Sequence, residues 1–206
     1  MSEKLIVVDY DAGNLRSVQT ALDHLGFRFR ISGRPDEVAG ADRLIVPGVG
    51  EARAAMERLS ASGLDEAIRR AWKRGSPLLG ICLGCQIIFD RSEERAARCL
   101  GFLPGTVERF RPQGGRKVPH MGWNRVRQKH PHPLFDGIAE GEYFYFVNSY
   151  YPVPKEAEVV IGECEYGARF AAAVARENLA ACQFHPEKSG DSGLRLLDNF
   201  LRWNPG

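Results

Sequence analysis

The rhythm of apolar and polar positions changes near the middle of the chain. In the first half, short apolar segments at Leu5 to Val8, Phe27 to Ile31, Leu44 to Val46 and Leu78 to Ile81 alternate with amphipathic stretches at Asn14 to Leu25, Glu51 to Leu59 and Leu64 to Lys73. That alternation predicts repeated strand-helix units. Runs such as Leu5-Ile6-Val7-Val8 are apolar on both faces, as expected of parallel strands covered by helices on each side. Beyond about residue 103 the long helical stretches stop. Short strands are expected at Val107 to Phe110, Asn124 to Arg127, Tyr143 to Val147, Glu158 to Gly162, Phe170 to Ala175 and Leu179 to Phe184, as antiparallel additions to the sheet. A last helix is expected over Ser192 to Trp203, where Leu194, Leu197, Phe200 and Leu201 form one stripe that packs on the sheet. The irregular stretch Arg111 to Lys117 reads as a loop.

Composition adds bounds rather than detail. With 206 residues and 44% hydrophobic content, the chain fits a single domain over residues 1–206 with a sizeable core. A net charge of +2, from 28 basic and 26 acidic residues, gives no reason to expect nucleic acid or membrane as a partner. The five cysteines are odd in number and form no dense framework, and the first residues do not read as a signal peptide. A reduced, cytoplasmic setting is expected. No apolar run approaches the roughly 20 residues of a membrane span.

Candidate chemistry centres on Gly80-Ile81-Cys82-Leu83-Gly84-Cys85-Gln86, which places a thiol between an apolar strand and a helical pattern, with glycines two positions away on each side. Such a turn pushes the nucleophile out of the backbone, and only small neighbours tolerate the crowding. A helix start and a nearby imidazolium both favour a thiolate. About a hundred residues on, His185-Pro186-Glu187 supplies an imidazole and a carboxylate. Set two apart in an extended segment, their side chains point the same way, so that Glu187 orients the His185 ring towards Cys82. The Leu83 N–H, with that of Val49 or Gly50 in the Pro47-Gly48-Val49-Gly50 turn, is expected to face a developing oxyanion.

Other readings compete with this one. Cys82-x-x-Cys85 is also redox or zinc spacing, and Cys182 with His185 completes a formal four-ligand count. Residues three apart on a strand point to opposite faces, however, so Cys182 and His185 should not converge on one ion. A redox pair leaves the elbow glycines and the distant His-Pro-Glu without a use. No metal or cofactor is expected. Cys85, Cys99, Cys164 and Cys182 are read as small buried apolar residues. His24, His130 and His132 are read as structural, and His120 is left open.

These residues resemble the class I, triad-type glutamine amidotransferases, through Gly-Ile-Cys-Leu-Gly-Cys-Gln and the later His-Pro-Glu. Within that group, Asp9 to Val18, Pro47 to Gly50, Pro119-His120-Met121-Gly122-Trp123-Asn124 and His185-Pro186-Glu187-Lys188-Ser189 are similar to the glutaminase subunits of imidazole glycerol phosphate synthases. The resemblance implies a flavodoxin-like α/β fold, with an open mixed sheet, mainly parallel and flanked by helices. It implies hydrolysis of L-glutamine through a thioester on Cys82, with Gln86, Glu94, Ser149 and Tyr150 holding the substrate. Cys85 stands where methionine is usual and Asn148 where histidine is usual, departures that bear on packing and pocket shape. The resemblance further implies a (β/α)8 cyclase on another chain, forming a heterodimer that receives the ammonia. Pro119, Met121, Trp123 and Lys188 are expected at that interface, and glutaminase activity is expected to be weak until the cyclase binds its ribonucleotide, with the Gly48 to Gly50 peptides misoriented at rest. The glutaminase of another synthase, a thiol hydrolase and a non-catalytic subunit on the same fold are the alternatives.

Overall fold

A computed structural model describes residues 3–11, 15–111 and 117–205. The first half follows the expected alternation: β1 (Leu5–Val8), α1 (Leu15–His24), β2 (Phe29–Ser32), α2 (Pro35–Ala39), β3 (Arg43–Val46), α3 (Ala52–Ala61), α4 (Leu64–Lys73), β4 (Leu78–Ile81) and α5 (Leu83–Ile87). Asn14, where the first helix was expected to begin, lies outside the described residues, as do 112–116 of the expected loop. The helix α2 is unanticipated, since five residues are too few for a periodic apolar stripe.

The second half contains β5 (Arg91–Ser92), β6 (Ala97–Arg98), β7 (Gly105–Arg109), β8 (His120–Arg125), β9 (Arg127–Gln128), β10 (Tyr143–Asn148), β11 (Tyr150–Pro154), β12 (Val160–Glu165), β13 (Arg169–Arg176), β14 (Leu179–Cys182) and α6 (Gly190–Arg202). Among the described residues the main sheet has eight strands in the order β2-β1-β3-β4-β14-β13-β12-β9. The first five are parallel and the remainder antiparallel. This corrects the reading of Leu179 to Phe184 as an antiparallel addition: β14 runs parallel to β4, with Cys182 beside Ile81. The chain thus returns to the sheet centre and brings the segment after β14 alongside the segment after β4. The expected strand Asn124 to Arg127 is two strands, broken at Val126, whose N–H donates to Glu142 instead.

Residues of the central strands alternate between two cores, as the doubly apolar runs require. Ile6, Val8, Leu44, Val46 and Leu78 join α3 and α4 on one side; Leu5, Val7, Ile45, Leu79 and Ile81 join α1 and α6 on the other. Each fully buried leucine or phenylalanine contributes roughly 1.5–3 kcal/mol, so the two layers hold the strand ends rigidly. The α6 stripe is buried through Leu197, Phe200 and Leu201, with Leu194 only partly so. Separate from the main sheet, β8 and β10 form an antiparallel ribbon with Trp123 opposite Tyr145 and His120 opposite Asn148. No helix among the described residues is long and apolar enough to cross a membrane.

Candidate active site

The backbone turns sharply between β4 and α5, and Cys82 occupies the turn at φ 54° and ψ −104°. A non-glycine residue in so sparsely populated a region costs on the order of 1–3 kcal/mol. The flanking glycines make the turn possible. A Cβ on Gly80 would lie 2.7 Å from the Gly84 carbonyl oxygen, and one on Gly84 would collide with the Val46 carbonyl. The helix that follows is only five residues long, so it offers local N–H groups rather than the macrodipole anticipated from the sequence. Cys85 points into the opposite core from Cys82, which is the arrangement of a packing residue.

His185 follows β14 and is buried at 1% exposure. Its Nδ1 lies 2.8 Å from Glu187 Oε1. The pair was expected to share a face of an extended segment; instead Pro186–Lys188 is a 3-10 turn. Proline at the first position presets that turn, and the turn curls Glu187 back under the ring. The fold also clamps this loop. The Ser189 hydroxyl donates to the His185 carbonyl at 2.6 Å and accepts from the Tyr145 N–H at 3.0 Å, while the His185 N–H donates to the Tyr145 carbonyl at 2.9 Å.

Burial alone would lower the His185 pKa, but interaction with Cys82 and Glu187 overrides it and pushes the imidazole up to about 10. The ring is therefore built to hold a proton between a thiol and a carboxylate. Its Nε2 is buried without a hydrogen-bond partner, as is Glu187 Oε2.

A cavity of about 320 Å³ opens at this turn, lined by Val49, Gly50, Cys82, Leu83, Gln86, Glu94, Pro119, Val147, Asn148, Ser149 and Tyr150. The structure thus gathers all four residues expected to hold substrate around the thiol. Pro119, expected at a partner interface, lines this cavity. Glu94 accepts from the Ala52 N–H at the start of α3 at 2.7 Å, and burial raises its pKa more than that bond lowers it. Met121 and Trp123 lie elsewhere, on the outer face of β8 at 63% and 56% exposure, and Lys188 is exposed on the loop after His185.

One of the expected oxyanion donors is already engaged, in keeping with Gly48 to Gly50 peptides turned away at rest. The Leu83 N–H is engaged, donating to the Gly48 carbonyl at 3.3 Å. Tyr10 fastens that turn, its hydroxyl donating to the Pro47 carbonyl at 2.8 Å, and burial followed by the Cys82 charge raises its pKa. A Cβ on Gly48 would collide with the same hydroxyl.

Tyr10 and Gln183 are the site residues that sequence reasoning passed over. Tyr10 sits inside the Asp9 to Val18 signature but has no chemistry that spacing alone reveals. Gln183 is fully buried, with its amide nitrogen 3.8 Å from Cys82 Sγ; its place two residues before His185 in an extended segment was a usable signal. Cys85, Cys164 and Cys182 are buried as expected, whereas Cys99 is only partly so. His120 is stacked between Phe146 and Tyr166, and burial lowers its pKa to about 4. His132 caps a 3-10 turn by accepting from the Leu134 N–H.

Comparison with known proteins gives the chain its family. The family model for "Glutamine amidotransferase class-I" matches residues 6–203. The chain is 48% identical to the imidazole glycerol phosphate synthase subunit HisH of Thiobacillus denitrificans, covering 100% of this chain and 94% of that protein. It is 51% identical to the subunit of the same name from Moorella thermoacetica, covering 95% and 93%. Among solved structures, PurLQS from Thermotoga maritima shares the fold at a TM-score of 0.74 and 22% identity, covering 98% of each chain. With a family model spanning nearly its whole length and half its residues shared with those relatives, the chain belongs to the class-I glutamine amidotransferases.

Proposed function

We propose that Cys82, His185 and Glu187 form a catalytic triad through which this chain, as a single domain, hydrolyses L-glutamine to glutamate and ammonia. The ammonia passes to a cyclase partner that makes imidazole glycerol phosphate and 5-aminoimidazole-4-carboxamide ribonucleotide in histidine biosynthesis, the role that identity to the HisH subunits supports. The observation that carries the triad is the buried His185–Glu187 pair at 2.8 Å beneath a thiol held on a strained elbow.

His185 Nε2 takes the thiol proton, and the sulfur attacks the γ-carbonyl carbon of glutamine. The same proton goes to the departing nitrogen, leaving a γ-glutamyl thioester and ammonia. Water, deprotonated by His185, then opens the thioester to glutamate. Glu187 keeps Nδ1 protonated and aligned throughout. Gln86, Glu94, Ser149 and Tyr150 hold the substrate, with the Glu94 carboxylate facing its α-ammonium.

The resting turn is not set for this chemistry, because the Gly48 carbonyl takes the Leu83 N–H that an oxyanion needs. Rotation of the Gly48–Val49 peptide removes the carbonyl and brings the Val49 N–H in its place, with Gly50 beside it as the further donor. Gly48, on the near side of that peptide, leaves its rotation sterically open. We place the (β/α)8 cyclase of a cytoplasmic heterodimer against Met121, Trp123 and Lys188, with Pro119 at the cavity's rim. A glutaminase assay of the chain alone, with the cyclase, and with cyclase plus its ribonucleotide tests the reading. Strong glutamate release only in the last case is expected; partner-independent hydrolysis of small esters or peptides would point to a thiol hydrolase instead.

A further inference from the structure

Two side-chain amides connect the substrate cavity to the nucleophile. Gln86 Nε2 donates to the Tyr150 carbonyl at 3.0 Å and to Gln183 Oε1 at 2.9 Å. A backbone carbonyl only accepts, so the first bond fixes which end of the Gln86 amide is nitrogen. That choice propagates. With its oxygen facing Gln86, Gln183 must turn its own Nε2 towards Cys82, where it lies 3.8 Å from the sulfur. Both hydrogens on Gln86 Nε2 are then committed inward, and Oε1 alone is left for the cavity that Gln86 lines. The Tyr150 carbonyl also takes Asn148 Nδ2 at 2.9 Å, so this one acceptor sets the orientation of two amides in the cavity wall.

We propose that Gln183 is a positioning residue of the thiol centre, which donates to the Cys82 sulfur and locks the Gln86 amide so that it offers the substrate only an acceptor. The inference rests on Cys82 being the nucleophile and goes beyond the triad. It gives Gln183 two separable effects. The N–H towards sulfur favours the charged nucleophile, because a donor strengthens its bond when the acceptor ionises. The oxygen towards Gln86 favours glutamine binding, because a substrate N–H meets an acceptor that cannot turn away. Gln183 is fully buried, so no water competes for either role.

Two substitutions separate the effects. Gln183→Glu keeps an oxygen for Gln86 and loses the N–H to sulfur, whereas Gln183→Met loses both at similar volume. In the full chain, alkylation of Cys82 by iodoacetamide, located by peptide mass spectrometry, is expected to slow about fivefold at neutral pH in both variants. The pH profile of alkylation should move to higher pH. In the complex, the KM for glutamine rises in Gln183→Met and stays near the parent value in Gln183→Glu. Parent alkylation rates and profiles in both variants, or an equal KM change in both, would overturn the proposal. If neither variant folds, nuclear magnetic resonance of the unsubstituted site decides: the Gln183 side-chain amide resonances should move in Cys82→Ala, and their remaining fixed overturns it. Alkylation needs neither glutamine nor a partner, so it reads Gln183 even if the glutaminase reading fails.

Discussion

The backbone N–H of Leu83 donates to the carbonyl of Gly48 at 3.3 Å, so the group one residue past Cys82 is already satisfied. Displacing that carbonyl requires the turn held by Tyr10 to move. Tyr10→Phe deletes the buried bond to Pro47 and should cost about 1 kcal/mol of stability. The same variant is expected to raise glutaminase activity in the absence of partner, narrowing the gap between free and complexed rates. An unchanged ratio of those two rates would show that Tyr10 does not restrain the turn.

Removing the proposed nucleophile with Cys82→Ala should abolish glutamate release in the reconstituted complex while the chain remains folded by circular dichroism. Glu187→Gln is expected to leave binding largely intact and lower kcat by roughly a hundredfold or more, since an amide supplies no charge compensation and can turn its NH2 to Nδ1, favouring the wrong tautomer. A KM effect with normal kcat would place Glu187 outside the reaction.

The His185 imidazole is raised from 6.5 to about 10 in the fold. A group whose pKa is raised on folding contributes stability that is fully present below the unfolded value and is lost as pH climbs through the folded one. Thermal midpoints should therefore fall between about pH 6.5 and pH 10 on account of this residue. In Cys82→Ala one of the two interactions that raise the pKa is gone, so the decline attributable to His185 should be shallower. Parallel curves for parent and variant would contradict that coupling.

Trp123 is 56% exposed on β8 and meets Tyr145 edge-on at 6.1 Å. Trp123→Ala should change the stability of the free chain by about 0.5 kcal/mol or less. Its affinity for the cyclase, measured by calorimetry, should weaken by about 2 kcal/mol or more if this face is the centre of the interface.

Strong local patterns made much of this molecule legible before its coordinates. Doubly apolar runs at Leu5 and Leu78 specified buried parallel strands, and glycines 80 and 84 specified an elbow. What the sequence hid was non-local. Nothing in Leu179 to Cys182 distinguishes a parallel neighbour of β4 from an antiparallel one, because a wholly buried strand is apolar in either direction. The engaged Leu83 N–H depends on how one peptide at Gly48 is rotated, and glycine leaves that rotation open. The Gln86 to Gln183 link joins residues 97 apart, and no periodicity carries such a signal. The residues proposed to hold substrate emerged only from likeness to a family, since Gln86 in α5, Glu94, Ser149 and Tyr150 at the start of β11 are far apart in sequence and share no periodicity.

The Ser189 hydroxyl ties the His185 loop to Tyr145, and Tyr145 stands opposite Trp123 in the β8–β10 ribbon. One strand pairing, followed by the direct bond from the His185 N–H to the Tyr145 carbonyl and the parallel one through Ser189, therefore joins the outer surface to His185. For inhibitor design this sets two routes apart. On the proposed reading a compound in the cavity must outcompete glutamine itself, whereas a wedge lodged beside Trp123 would address the proposed cyclase interface and the setting of the imidazole with a single contact, and need resemble no amino acid.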